Sequence, residues 1–312
     1  MSKNIPNKSD VKDSVISDSE RAEYNSLLKE YNAQRPSHWV FSVVPGIFQQ
    51  SLEETDETKF DTIKEHFGII HSWDEIINQL HTLNDTSDEG VQYKLLFLAR
   101  HGQGFHNVKH TENPELWDAY WSLLATDGKI VWGPDPELTE LGILQAKDNN
   151  AAWKREITNN IEGNERLIVP TKFFLSPFRR SVDTMIYTWE GVAKLDAVIL
   201  DSLRETCGVH VCDKRSPRRV IAEKYGPLGI KIESGFEEED VYWKPDYRES
   251  VAEVAIRNND ALQEIFDGPD EIVSITSHSG SIRSQLMVLG HRSFAIGTGG
   301  FIPVFVKAVK VE

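Results

Sequence analysis

The chain has 312 residues, with Lys+Arg 34 against Asp+Glu 49, a formal net charge of −15, and 39% hydrophobic residues that include Trp 8 and Phe 14. That composition supports a sizeable core in one large domain or two smaller ones, and with Cys207 and Cys212 as its only cysteines the chain is no disulfide scaffold. An acidic surface repels nucleic acid and anionic membranes, so neither is expected as a partner and any anion site has to be built locally.

The first thirty residues lack the apolar core of a secretory signal. No apolar stretch approaches the ~20 residues needed to span a bilayer. The expectation is a soluble cytoplasmic protein, with the nucleus left open. The leader to about Lys12 is polar, reads as mobile and offers no chemistry. A short helix is expected over Glu20–Tyr31, then a strand over Trp39–Val44 that stops at Pro45-Gly46. Helices are expected over Glu57–Phe67 and Ser72–Leu83, the second opened by the reciprocal capping pair Ser72 and Glu75. Asn84–Gly90 reads as a loop.

The run Tyr93–Ala99 is almost continuously apolar, which suits a strand covered on both faces. It ends at Arg100-His101-Gly102-Gln103-Gly104. Similar runs recur at Lys172–Ser176, Ala197–Leu200, Ile272–Ser277 and Phe301–Val306. Helical patterns separate them at Pro114–Leu124, Pro136–Ile161, Ser181–Lys194, Val251–Phe266 and Ser279–Leu289, and the alternation predicts α/β layering. In the Arg248–Phe266 piece, Val251, Val254, Ala255, Leu262, Ile265 and Phe266 form one apolar stripe.

Ligands of such sheets sit at the carboxyl ends of the strands. Two of those ends carry histidines, His101 and His278, and a third leads into Ser176-Pro177-Phe178-Arg179-Arg180. A neutral imidazole attacks phosphorus when its other nitrogen donates to a backbone carbonyl, which makes His101 the candidate nucleophile. Arg100, Arg180 and His278 are suited to the equatorial oxygens of a transferring phosphoryl group, and Gly102 and Gly104 let the backbone come close to them. Taken by itself, the Arg179-Arg180 pair reads as an ordinary solvated basic turn. Glu205, just past the Ala197–Leu200 strand, is the candidate acid for the leaving alkoxide, with a solvated glutamate as the alternative.

Asn107 can donate its amide to phosphate or cap a helix. His106 and His110 share a helical face, but no carboxylate completes a ligand set, so His106 is assigned to lining the pocket and neither metal nor cofactor is expected. Cys207, His210 and Cys212 have no zinc or redox spacing and read as buried structure. Lys214, Arg215, Arg218 and Arg219 are the densest positive cluster. They are suited to a second anionic group of a substrate or to balancing nearby acids. The run Glu237–Asp240 reads as solvent-facing or as an entrance to the pocket, with Tyr242 and Trp243 beside it as a possible lid. Without interleaved aromatics the basic cluster does not suit nucleic acid.

These motifs resemble the histidine phosphatase superfamily, also called phosphoglycerate mutase-like. Its Arg-His-Gly motif stands here as Arg100-His101-Gly102, and the extended RHGQGFHNV is similar to the fungal phosphoglycerate mutase-like proteins. The family's Ser-x-x-x-Arg-x-x-x-Thr segment matches SPFRRSVDT, and its register selects Arg180 over Arg179. The second family histidine falls on His278 in ITSHSGSIRS, and the Leu-x-Glu segment on Leu203-Arg204-Glu205. The resemblance covers Tyr93–Val309. It implies a three-layer α/β/α domain with a mostly parallel central sheet, a phosphohistidine on His101, an arginine and histidine phosphate pocket, and no metal. The expected division is residues 1–91 as a polar leader and N-terminal extension partly packed on the core, and 92–312 as the catalytic domain.

The family includes phosphatases, mutases and inactive binding proteins. Gln103-Gly104-Phe105-His106 replaces the Glu-Ser-x-x-Asn stretch of the mutases, so hydrolysis of small anionic phosphate monoesters is the favoured expectation. Mutase-type phosphoryl transfer and a non-catalytic phospholigand-binding protein are the alternatives. No coiled-coil repeat specifies an oligomer.

Overall fold

The computed structural model describes residues 4–159 and 168–312. Leader residues 1–3 and the Ile161 end of the helix expected over Pro136–Ile161 lie outside them. The strands are β1 (His38–Val43), β2 (Val91–Arg100), β3 (Lys172–Leu175), β4 (Ala197–Ile199), β5 (Lys231–Ile232), β6 (Ile272–Ser277) and β7 (Phe301–Val311). The helices are α1 (Lys8–Ser14), α2 (Asp18–Ala33), α3 (Trp73–Thr86), α4 (Phe105–Glu112), α5 (Pro114–Trp117), α6 (Glu140–Asn159), α7 (Arg179–Trp189), α8 (Arg218–Tyr225), α9 (Val251–Asp267) and α10 (Ser279–Val288).

The strands form one mixed sheet in the order β1-β7-β2-β6-β3-β4-β5. β2, β6, β3, β4 and β5 run parallel, while β7 lies antiparallel on β2 and β1 antiparallel on β7. Side chains alternate across β2 into two cores. Leu95 and Phe97 pack with Trp73, Ile76 and Leu80 of α3, Trp153 of α6 and Met185 of α7. Leu96 and Leu98 pack with Leu262 and Phe266 of α9 and Leu286 of α10. Both faces are covered, which is why the strand reads as an unbroken apolar run and why the architecture is three-layered.

Register then gathers the chemistry. Arg100 pairs with Ser277, and Leu175 with Thr276. The residues following β2, β6 and β3, namely His101, His278 and Ser176, therefore leave the sheet at one edge.

Several local expectations fail for identifiable reasons. Glu57–Phe67 is a series of turns and not a helix: His66, Phe67 and Gly68 have φ of 49°, 59° and 80°. That bend delivers Phe67 into the core, edge-on to Trp153 at 4.7 Å and Phe301 at 4.9 Å. The helix expected over Pro114–Leu124 ends at Trp117 and is followed by a 3-10 turn at Trp121–Leu123. The leader is not idle, since it forms α1, closed by a capping box between Asn7 and Asp10, and reaches Arg100. The Ser72–Glu75 capping box is present as expected. No helix among the described residues is long and apolar enough to cross a membrane.

Candidate active site at the carboxyl edge of the sheet

His101 is fixed by its backbone, whose N–H donates to Ser277 O at 3.0 Å and whose carbonyl accepts from Gly299 N at 2.8 Å. Its Nδ1 lies 2.7 Å from Gly102 O. Burial, followed by the charges of Arg180 and Arg100, holds the imidazole well below the usual histidine range. The ring is therefore neutral, Nδ1–H donates to the carbonyl, and the lone pair sits on Nε2.

Two more rings face it. His278, the N-cap residue of α10, has its centroid 5.0 Å away, and His106 of α4 lies at 5.3 Å. Burial and then Arg180 push both well down as well, so each is neutral. Ser176 Oγ lies 2.6 Å from His278 Nε2, and Ser181 Oγ of α7 is 3.3 Å from the same nitrogen. Behind α10, Asn258 Oδ1 accepts from Ser281 Oγ at 2.8 Å and from Gln285 Nε2 at 2.9 Å.

Arg180, in the first turn of α7, is fully buried. Its Nη2 pairs with Asp213 Oδ1 at 3.0 Å, its Nη1 donates to Cys212 O at 3.1 Å, and its guanidinium lies 4.3 Å from the centroid of the Phe178 ring. Arg100 Nη1 donates to Ile296 O at 2.7 Å and to Asp10 Oδ1 at 2.6 Å. Four buried nitrogens here, Nε of Arg100, Nε of Arg180 and Nδ1 of His106 and His278, have no hydrogen-bond partner among the described residues. Orphaned buried polar groups are costly, and donors of this kind are what an anion satisfies. Three neutral rings and two guanidiniums thus make a buried cluster whose chemistry suits an anion.

The SPFRRSVDT segment divides its work by spacing. Ser176 meets His278, Arg180 enters the pocket, and Thr184 Oγ1 accepts from Gly102 N at 2.9 Å while donating to Arg180 O at 2.7 Å. Arg179 turns the other way, its guanidinium donating to the Asp135 carbonyl and the Glu137 carboxylate. The Gly102 amide is bonded to Thr184, and a Cβ there would lie 2.4 Å from Gly142 O, so a close chain approach itself requires the glycine.

Asn107 caps the start of α4, its Oδ1 accepting from Gly104 N at 2.9 Å. Glu205 lies beside the start of α10, where its Oε2 accepts from Gly280 N at 3.2 Å and its Oε1 from Thr206 N at 2.8 Å. Gly280 is two residues from His278, so the Glu205 side chain lies at the same edge of the sheet.

Arg215 and Arg218 are not brought to the histidines. Arg215 is buried under the 237–239 backbone, donating to Glu237 O at 2.8 Å and Glu239 O at 3.0 Å, with Phe236 beneath it. Arg218 is exposed in the first turn of α8. The acidic run divides accordingly: Glu237, Glu238 and Glu239 face solvent, while the Asp240 carboxylate is buried against Arg204 at 2.6 Å. Arg215→Met should cost roughly 2–4 kcal/mol, lowering Tm by about 4–12 °C. A melting curve together with KM values checks this. A selective KM rise for bisphosphates with Tm unchanged would restore a substrate-binding role.

Among the described residues one group has metal-like spacing: ligand atoms of His210, Cys212 and Asp213 lie within 4.8 Å of one another. Asp213 is already paired with Arg180 and faces Arg248 at 3.5 Å. Burial raises the Cys212 thiol well above its usual range and holds His210 down to about 4. Two guanidiniums on the only carboxylate suit the loop to orienting Arg180 and not to holding a cation. Both cysteines are free and buried. Asp213 and Asp10 are the site-facing groups that sequence reading missed, since neither lies in a motif or at a strand end.

The family model of branch 1 of the histidine phosphatase superfamily matches residues 96–296. A probable phosphoglycerate mutase of Arthroderma benhamiae is 36% identical over 86% of this chain and 84% of its own. Phosphomutase-like protein 3 of Candida albicans is 35% identical over 82% and 74%, and a probable phosphoglycerate mutase of Saccharomyces cerevisiae 32% over 85% and 95%. Among solved structures, a mycobacterial glucosyl-3-phosphoglycerate phosphatase matches with a TM-score of 0.37 and 22% identity, over 64% of this chain and 84% of that one.

Proposed function

This chain belongs to the histidine phosphatase superfamily, and from that premise we propose that it hydrolyses small phosphate monoesters through a phosphohistidine on His101. One observation carries the reading. His101 is neutral, with Nδ1 held by the Gly102 carbonyl, which leaves Nε2 as the nucleophilic nitrogen, and the His106 and His278 rings beside it and the nearby Arg100 and Arg180 each carry a buried nitrogen without a hydrogen-bond partner among the described residues.

Nε2 attacks phosphorus as the bond to the leaving oxygen breaks. Arg180 and Arg100 stabilise charge on the equatorial oxygens, and the neutral His106 and His278 rings donate hydrogen bonds to them through Nδ1. Such pre-aimed donors contribute most in a dry site, and these are buried. Glu205 gives its proton to the leaving alkoxide and then takes one from the water that attacks the phosphohistidine, releasing inorganic phosphate and free imidazole.

Glu205→Gln keeps the acceptor for Gly280 and removes the proton. It should lower kcat by roughly 10²–10⁴-fold for alkyl phosphates, and far less for an aryl phosphate whose leaving group needs no acid. Equal losses on both substrates would assign the proton to another group.

Positional transfer is the second reading, and the names of the fungal relatives favour it. A phosphoglycerate substrate separates the two: net release of phosphate supports hydrolysis, and isomerisation without release supports the mutase.

A further inference from the structure

The N-terminal segment lies on the machinery just described. Asp10 Oδ1 pairs with Arg100 Nη1 at 2.6 Å, with the side chains only 10% and 7% exposed. The other carboxylate oxygen closes the α1 capping box on Asn7 N at 2.9 Å, so the position of the acid is fixed by the helix start. Arg283 of α10 donates to Asp13 O at 2.8 Å, holding α1 against the helix that begins beside His278. Asn4 Nδ2 reaches Asn149 Oδ1 at 3.1 Å and Gly299 O at 3.2 Å. A Cβ on Gly297 would lie 2.6 Å from Asn4 O. The turn that supplies Ile296 O to Arg100 is thus glycine-shaped around this segment, and segment and site fit one another on two sides.

Carboxylate and phosphate oxygens use the same guanidinium geometry. The two pocket arginines are each paired with an acid, but differently. Asp213 holds Arg180 from inside the domain, on a loop anchored by the buried Arg204 and Arg215. Asp10 holds Arg100 from a seven-residue helix of which only Ser14 is buried. An incoming phosphate would meet like charge at Asp10, and only Asp10 can leave without dismantling the core.

Building on the proposed phosphatase reading, we propose that Asp10 is an internal competitor for the phosphate subsite. The 4–14 segment acts as a strap that an anionic substrate displaces from Arg100. A strap seated in about nine of ten molecules weakens apparent ligand affinity roughly tenfold.

The test is titration of inorganic phosphate into the full chain and Asp10→Asn by calorimetry. Hydrogen exchange of residues 8–14 is followed in both chains at saturating phosphate, and turnover is measured alongside. The expected result is a roughly tenfold lower Kd in the variant, with faster exchange of α1 in the wild type once phosphate is bound. Unchanged or weaker binding by Asp10→Asn, or exchange unaffected by phosphate, would overturn the strap and make Asp10 a residue that positions Arg100. Failure of the phosphatase reading is separate: it would appear as no turnover by either chain.

Discussion

Replacing His101 by alanine is expected to lower phosphate release by on the order of 10⁴-fold or more, with the fold intact. The magnitude follows from the role. Without Nε2 the two-step route has no first step, and the remaining donors can only bind the ester. The fold survives because His101 is secured through its backbone bonds to Ser277 and Gly299. Its ring contributes only the adjacent Gly102 carbonyl contact among the described side-chain hydrogen bonds. Phosphate release and circular-dichroism melting, measured together, check both halves. A folded variant that keeps a tenth of the activity would exclude His101 as the nucleophile.

Arg180→Ala should be the more damaging change for the protein as a whole. Losing the guanidinium removes a charge that stabilises the transferring phosphoryl group, worth roughly 10²–10³-fold in kcat/KM. It also leaves the Asp213 carboxylate buried beside the neutral His210 ring at 3.9 Å, with Arg248 at 3.5 Å as the remaining guanidinium. Stranding a buried charge costs about 3–5 kcal/mol. The double variant Arg180→Ala/Asp213→Asn separates the two effects. Stability should recover in large part, because the stranded charge is gone, while activity should not recover. Activity returning with stability would mean that Arg180 acts on the fold alone.

How much of this was legible in the sequence depends on the kind of interaction. Strands buried on both faces announce themselves as apolar runs, so β2, β3, β6 and β7 were visible, and with them the strand-end positions of His101 and His278. The resemblance of SPFRRSVDT to the family's Ser-x-x-x-Arg-x-x-x-Thr segment selected Arg180 over Arg179, and the structure turns those neighbours in opposite directions.

Partner identity was not legible. Arg215 and Arg180 look alike in sequence, and only the chain path puts one under three backbone carbonyls and the other beside Phe178 and His278. Gly102 was assigned to phosphate approach although its crowding partner, Gly142, lies 40 residues on. The Glu57–Phe67 pattern has helical periodicity, but burial of Phe67 outweighs a local preference worth only tenths of a kcal/mol per residue. The leader was set aside because polar termini are ordinarily loose, and its acid at position 10 has significance only once Arg100 stands opposite.

The most direct test of the account is to trap the phosphoenzyme. Wild-type chain is mixed with a phosphate monoester carrying labelled phosphorus in the presence of a chelator, quenched in base, which preserves phosphohistidine, and mapped by peptide mass spectrometry alongside measured phosphate release. The account predicts label on His101 that appears before free phosphate and decays into it. Phosphate release with His101 unlabelled at every time point, or label that passes to a second hydroxyl of the substrate without net release, would contradict it.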